Sequence, residues 1–510
     1  MKGLEATEIR LSAVLADNKS HRIDSQYFGK TELLIEDVLR RRPWKPLSEL
    51  TERIASFGAY DLTNQIEYVD EGIPFLRCLN IKNGDVDFTD VLYVNPEAHA
   101  LLTKSEVKPG MVLLTMSGSV GSAAVAQQDW TYPVNSNQDI AKITPSKGLS
   151  PHILASFLNG KYGQAQMRRL PVGSIQQHVF LWQLDNVAVP IFSESFQRRV
   201  GALVASASKL KQQARNLYHE AEARLLEALG LKDWKPEEPL TYVAKASGAM
   251  GAERLDAEYF RPSVQTLISI LSKRGTKISD HADLVTTRFK PDGNEQFRYI
   301  EIGDVRSNGS ASGDLIWASD APSRATWVVR ANDVITSTVR PIRKLTAIIN
   351  EEQNGSVCSS GFAVLRPKRV SSELLMLYLR LNPVVRLMDL HTTASLYPAI
   401  SVEDILGIPF GGIESAEANE IEAAARQSFT TEAESKLFLE KAKRAVELAI
   451  EEGEEAAGRY LDGKAYVQET ALPDLMQSHA YFSTEALRDY LEKQKDRKST
   501  RLNSSHLVIS

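Results

Sequence analysis

Cysteine is nearly missing from this sequence. Cys78 and Cys358 are the only two among 510 residues, and neither sits in a CxxC or Cys/His cluster. That leaves no disulfide framework and no zinc site to read, and makes a reducing, cytoplasmic setting the expectation. No apolar run reaches the roughly 18 residues that a membrane-spanning helix needs. The opening MKGLEATEIR has no apolar core of the kind a secretory leader carries. Catalytic signatures are missing as well: there is no GxxxxGK(S/T) phosphate loop, GxGxxG, HExxH or GxSxG. The Asn-Pro-Pro-aromatic loop of nucleobase methyltransferases is absent too, since Asn382-Pro383-Val384 lacks the second proline and the ring. A net charge of −5 withholds the basic excess of a free-standing nucleic-acid binder. What remains is an ordinary globular composition, 43% hydrophobic and 25% charged, long enough for two to four domains.

What is present is a duplication. Residues 22–28 read RIDSQYF and residues 254–260 read RLDAEYF. Arg22/Arg254, Asp24/Asp256, Tyr27/Tyr259 and Phe28/Phe260 are identical between the copies. Each copy is followed by a segment of helical period, TELLIEDVLR and SVQTLISILSKR. IPFLRCLNIKNGDV (73–86) and QFRYIEIGDVRSNG (296–309) come next, apolar runs broken by Asn-Gly turns. VKPGMVLLTMSGSVGSAAVA (107–126) matches VRANDVITSTVRPIRKLTAII (329–349): turn, β-branched strand, polar bend, strand. IAKITP and FAVLRP follow, then helical segments, then the loops GSIQQH and TASLYP, and apolar runs ending at Val189-Pro190 and Ile408-Pro409.

After each of those prolines the pattern becomes a long helix. Phe196, Val200, Leu203, Ala207, Leu210, Ala214, Leu217 and Ala221 form a heptad seam, closed by Gly230 as a C-cap. Ile421, Ala424, Ser428, Thr431, Ser435, Phe438, Ala442, Ala445 and Ala449 repeat the seam with smaller side chains. Helices of this length span about 45 to 52 Å. The fold expected is mixed α/β: two pseudo-twofold-related globular domains, each followed by a long helix, the helices pairing as an antiparallel coiled coil. The boundaries read 1–190 and 253–410 for the domains, 191–231 and 411–460 for the helices, and 232–252 for a Pro/Gly/Ala-rich linker. Residues 461–495 form an extension of no evident role. Residues 496–510, DRKSTRLNSSHLVIS, resemble a translated sequencing adapter and are set aside, so the natural end of the chain beyond Lys495 is expected to be missing.

Two halves that each open on R-(I/L)-D-x-x-Y-F and each end at an apolar-Pro step into a long helix resemble the specificity subunit of type I restriction–modification enzymes. PFLR at 74–77, LLTMSGSVGSAAVA, DVITSTVRPIRKLTAII and SSGFAVLRP are similar to that family, over about residues 8 to 455. The resemblance implies two target recognition domains, each reading one half of a bipartite double-stranded DNA sequence, held apart by the paired helices. It implies two docked methyltransferase subunits carrying S-adenosylmethionine, and in some complexes two restriction subunits using ATP and Mg2+. The specificity subunit itself is expected to hold no catalytic residue, cofactor or metal. Two readers at fixed spacing suit a bipartite target, and about 50 Å corresponds to roughly 15 base pairs.

Candidate DNA-reading residues come from the segments that differ between the halves. In STVRPIRK, Arg340 and Arg343 can address guanine and Lys344 can hold phosphate. The matching bend TMSGSVGS offers Ser117, Ser119 and Ser122 among glycines that let backbone approach phosphate. The loop at 173–178 offers Ser174, Gln176, Gln177 and His178, with amides suited to adenine; its counterpart offers Thr392, Thr393, Ser395 and Tyr397. Arg77 and Arg298 near the first strand of each half rank lower. A solvated turn and a flexible hairpin are the plain alternatives for the two bends. His99, His178, His281 and His391 each stand alone in the sequence, and Asp139 reads as a loop carboxylate without a partner. The repeated heptapeptide reads as packing: aromatic anchors with a local Arg22–Asp24 pair.

Neither half is basic. Residues 22–190 hold 16 Lys+Arg against 18 Asp+Glu, and residues 254–410 hold 19 against 17. The isolated chain is therefore expected to bind DNA weakly, with partner subunits sharing phosphate neutralisation. The alternatives are a non-enzymatic coiled-coil scaffold without sequence readout, and a specificity-like module of another phage-defence system.

Overall fold

The computed structural model describes residues 7–10, 14, 22, 24, 27–56, 66–82, 84–88, 90–172, 177–236, 238–252, 254–293, 295–306, 308–393, 397–463 and 506–509. The chain divides into two compact units, Met1–Ala207 with Lys436–Ser510, and Ser208–Ser435. Both are mixed α/β, and both are built from the same arrangement of elements.

In the first unit a four-stranded antiparallel sheet runs in the order Ala123–Val125, Val112–Thr115, Ile140–Pro145, Thr51–Ala55. Strands Val112–Thr115 and Ala123–Val125 are buried on both faces, while Glu52 and Arg53 of the edge strand are exposed. Val112, Leu114, Ala141 and Ile143 pack on the helical side with Phe157, Leu158 and Tyr162. Leu113, Ala124 and Ile140 alternate with them and face a second core with Leu76 and Val134. That period of two is what a strand imposes on its side chains. Each such residue withdrawn from water contributes about 1.5–3 kcal/mol.

The second unit repeats the plan. Its sheet runs Thr346–Ile348, Val334–Ser337, Phe362–Pro367, Ala282–Leu284. Val334, Ala363 and Leu365 face the helical core with Leu375 and Tyr378, while Ile335, Ala347, Phe362 and Val364 face the other. The register coincides: Leu114 pairs with Ala123 and Ala141, and Thr336 with Thr346 and Ala363. Each unit also has a second four-stranded sheet with one parallel pair, Phe75 opposite Asn135 and Tyr299 opposite Val357.

The apolar-Pro steps are strand pairings. Ala188–Pro190 pairs with Trp44–Pro46, and Pro409 bridges to Lys277. The long helices then span Glu194–Ala228 and Ser415–Glu451. Within each unit their segments run antiparallel. In the first, Phe196, Val200 and Val204 share a core with Ala442, Ala445 and Ala449. In the second, Ser428 donates from its hydroxyl to the Ala214 carbonyl at 2.7 Å, and Arg224 pairs with Glu420 at 2.5 Å. The small residues of the second seam are where the helices touch. Val204, Leu225 and Ala425 join the expected seam as buried residues. Gly230 (φ +71°) caps the first helix, with the Leu231 amide reaching back to Leu226 at 2.7 Å.

In the terminal segment, His506–Ile509 pairs antiparallel with Thr7–Arg10. Residues 464–495 lie outside the described residues.

A buried cation of the first unit has an apolar counterpart in the second. Lys142, 2% exposed, donates to Ser136 Oγ at 3.0 Å and, among the described residues, has no carboxylate paired with it; Val364 fills the matching register position in the second unit. Burial pushes the Lys142 ammonium down to about 8 from 10.5. Because the folded-state value lies below the unfolded one, its penalty is fully present below pH 8 and is relieved as pH rises toward 10.5. The penalty is about 3 kcal/mol. Lys142→Met is expected to stabilise the first unit by about 1–3 kcal/mol at pH 7 and to flatten the rise in stability between pH 8 and 10.5. Denaturant unfolding at pH 7 and pH 10 checks both.

Candidate nucleic-acid interface

The bends and the loops flagged separately in the sequence meet in space. In the first unit the chain leaves Val112–Thr115, turns through Met116–Ser122 and returns at Ala123. The Thr115 hydroxyl donates to the Ser119 carbonyl and accepts the Ser122 amide at 3.0 Å. Gly118 (φ +65°) and Gly121 (φ +88°) take left-handed conformations. A side chain on Gly121 would also come within 2.9 Å of Met167, so glycine is required there twice over. Ser117 bridges to His178, and His178 bridges to Val172 at the base of the loop.

The second unit builds the same junction. Val339 bridges to Ala399, and Ala399 to Thr393. The Arg340 amide donates to the Pro398 carbonyl at 2.8 Å, and the Arg340 guanidinium lies 5.4 Å from the centre of the Tyr397 ring. Arg340 (φ +50°) and Lys344 (φ +55°) occupy the left-handed region where the first unit uses glycine. Non-glycine residues held there cost roughly 1–3 kcal/mol each and cluster at functional sites.

The candidate residues separate by exposure. Arg340, Arg343 and Tyr397 are exposed, as are Ser119 and Gln177; Ser117 and His178 are half-buried. Ser122 is buried and belongs to the bend's internal bonding. Lys344 is half-buried: burial, with the Arg380 cation nearby, lowers its ammonium, opposed by Glu222. Arg77 donates to the Asp90 carbonyl at 2.8 Å, and Arg298 to that of Gly313 at 2.7 Å. These two are not counterparts, since the parallel pairings align Arg77 with Glu301 and Arg298 with Pro74. Ser174, Gln176 and Ser395 lie outside the described residues.

The histidines do not stand alone, which corrects the sequence reading. His178 Nδ1 is 3.8 Å from the Asp139 carboxylate, and His391 Nδ1 is 3.4 Å from that of Asp404. His99 contacts Asn135, and His281 contacts Thr276. Asp139 therefore has a partner, and its carbonyl receives the Met116 amide at 2.8 Å, as that of Gly361 receives Thr338 at 2.9 Å. Sequence reasoning missed it because its partner is nearly 40 positions away. Cys78 lies 3.8 Å from Ser117 Oγ, and burial pushes its thiol up, while burial raises that of Cys358 to about 12. Neither is primed as a nucleophile. Among the described residues no group of three or more His, Cys, Asp or Glu is placed to hold a metal, and no helix is long and apolar enough to cross a membrane.

No family model matches the chain. Over 220 residues, 41% of the chain, it is 24% identical to the specificity subunit of the type I restriction enzyme EcoBI of Escherichia coli. Over 158 residues it is 24% identical to the StySPI specificity subunit of Salmonella potsdam. The chain resembles type I restriction specificity subunits. The matches cover 45% and 33% of those relatives, so the chain spans less than half the length of the curated relatives it matches. Among solved structures, the S subunit of a type I restriction–modification system from M. genitalium aligns with 82% of the chain and 96% of that structure, at 10% identity and a TM-score of 0.33. The HsdS subunit from Thermoanaerobacter tengcongensis aligns with 83% of the chain and 97% of that structure, at 14% identity and a TM-score of 0.26.

Proposed function

We propose that this chain is the DNA-reading subunit of a type I restriction–modification complex. Each unit reads one half of a bipartite target through its bend-and-loop junction. The long helices dock two methyltransferase subunits and, where the complex includes them, two restriction subunits. The chain supplies recognition and no catalysis; S-adenosylmethionine, ATP and Mg2+ belong to the partners. The observation that carries this reading is the junction made twice: Ser117 against His178 and Val339 against Ala399 share one backbone scheme and present different side chains. A constant frame with variable polar tips is what two readers of different half-sites require.

The test is co-expression with a methyltransferase subunit, purification of the complex, and mapping of methylated adenines in DNA. A two-part motif with a fixed gap is expected. Methylation without a motif, or a single uninterrupted motif, would sink the reading.

A further inference from the structure

The heptapeptide that opens each unit makes more than its local pair. Arg22 donates from Nη1 to the carbonyls of Arg169 and Pro171, both at 2.8 Å. Its other nitrogens grip Asp24 at 2.6 and 2.7 Å. Arg254 makes a similar grip in the second unit, reaching one carbonyl, that of Leu390, at 2.8 Å, His391 Nδ1 at 3.4 Å and Asp256 at 2.7 and 3.1 Å. Asp24 accepts the Tyr27 amide at 3.1 Å, and Asp256 that of Tyr259 at 3.0 Å. The guanidinium groups lie 5.3 and 4.6 Å from the Tyr27 and Tyr259 ring centres.

The carbonyls chosen are informative. Arg169 and Leu390 are the last residues of the helices Lys161–Arg169 and Asn382–Leu390. Helix ends leave carbonyls without intrahelical partners, and a planar guanidinium can satisfy them while paired with a carboxylate. Three residues beyond each helix end come Val172 and Thr393, which open the loop of the reading junction and bridge to His178 and Ala399. The loops differ in sequence, GSIQQH against TASLYP, while the residues that hold their roots are the same in both copies.

We propose that R-(I/L)-D-x-x-Y-F is a positioning clamp: Arg22 and Arg254 fix the root of each reading loop so that it meets its bend, and thereby set half-site specificity without touching DNA. This rests on the DNA-reading function proposed above. The contacts reach across more than 130 residues in each copy, which explains why the motif is written at the start of a unit whose reading loop lies near its end.

The test uses the full chain in complex with its methyltransferase subunits. Methylation rates are compared on the cognate site and on sites with one base changed in either half, for the wild type, Arg254→Ala, Arg254→Lys and Arg22→Ala. Arg254→Ala is expected to lower discrimination tenfold or more in one half-site and to leave the other within twofold. Arg22→Ala should do the converse, and the lysine variant should fall between. Amide exchange supplies a readout independent of DNA: in Arg254→Ala, the Thr393 and Ala399 amides, bonded to each other's carbonyls at 2.8 and 3.0 Å, should exchange at least tenfold faster, with strand Phe362–Pro367 unchanged. Unchanged discrimination overturns the proposal, as does unit-wide loss of protection in both Arg254 variants. A wild type that shows no sequence discrimination would defeat the DNA-reading function, and the exchange measurement would then decide the clamp by itself.

Discussion

Alanine at both Arg340 and Arg343 is expected to abolish discrimination at one half of the DNA target and spare the other. The two guanidinium groups are exposed at the tip of the bend in the second unit. Arg340 is held from two sides, its amide on the Pro398 carbonyl and its charge over the Tyr397 ring. Each bidentate contact to a base discriminates by about 1–3 kcal/mol. Losing two is worth roughly two to four orders of magnitude in relative methylation rate, at about 1.4 kcal/mol per tenfold. Alanine keeps a Cβ at the left-handed position 340, so the backbone strain is unchanged and the fold is not the variable being tested. Phosphate contacts would behave differently, weakening all sequences alike and lowering the salt dependence by about one unit per contact. Lys344→Ala should matter less for reading, because its side chain is half-buried and its ammonium already feels the Glu222 and Arg380 charges. Methylation of the cognate site and of single-base variants distinguishes these outcomes. An unchanged motif and rate would remove the bend from the reading site.

The duplication, the succession of matching segments along each half and the heptad seams were legible because they depend on local periodicity, which repeats along the chain. Phe196, Val200, Ala214 and Ala221 follow the heptad and are buried as expected. Val204 and Leu225 are buried outside that strict seam because each segment also packs on its own unit. Legibility ended where contacts are long-range. His178 and Asp139, or Arg22 and the Arg169 carbonyl, are joined only by the sheet and helices between them. Proximity in sequence also misled: Arg77 and Arg298 look equivalent by position near a strand, yet the register places them three residues apart. Ser122 sits in a run of serines and glycines that includes the exposed Gly118 and Ser119, but the return of the chain into strand Ala123–Val125 buries it. The left-handed conformations of Arg340 and Lys344 could be read only by aligning them with Gly118 and Gly121, whose freedom in the first unit shows what path the bend takes.

The largest stability effect is expected from Arg380→Ala, a residue that the apolar run SSELLMLYLRLNP half conceals. Arg380 is 6% exposed at the end of helix Ser372–Arg380. It donates to the Lys344 carbonyl at 2.6 Å, the Thr346 carbonyl at 3.1 Å and the Tyr218 hydroxyl at 2.7 Å. It therefore ties the return of the reading bend to the long helix within the second unit. Asn159 holds the same position in the first unit, where it makes a two-way bond to Ala123 at 2.7 and 3.0 Å and donates to the Ala155 carbonyl of its own helix at 2.9 Å. Removing the guanidinium takes a donor from the Thr346 carbonyl and the Tyr218 phenol, while the Lys344 carbonyl keeps the Thr346 amide at 2.9 Å, and leaves Glu222 without one of its nearby cations. Breaking a buried charged network by deleting one member costs about 3–5 kcal/mol, which lowers the unfolding temperature of a unit this size by roughly 10 °C. Arg380→Met keeps the aliphatic packing of the stem and should lose nearly as much, since the lost hydrogen bonds outweigh the packing. Asn159→Ala should cost the first unit less, about 1–3 kcal/mol. Calorimetry of the full chain reads the result. A transition of the second unit within 1 °C of wild type would mean that water replaces the guanidinium and that the bend stands without it.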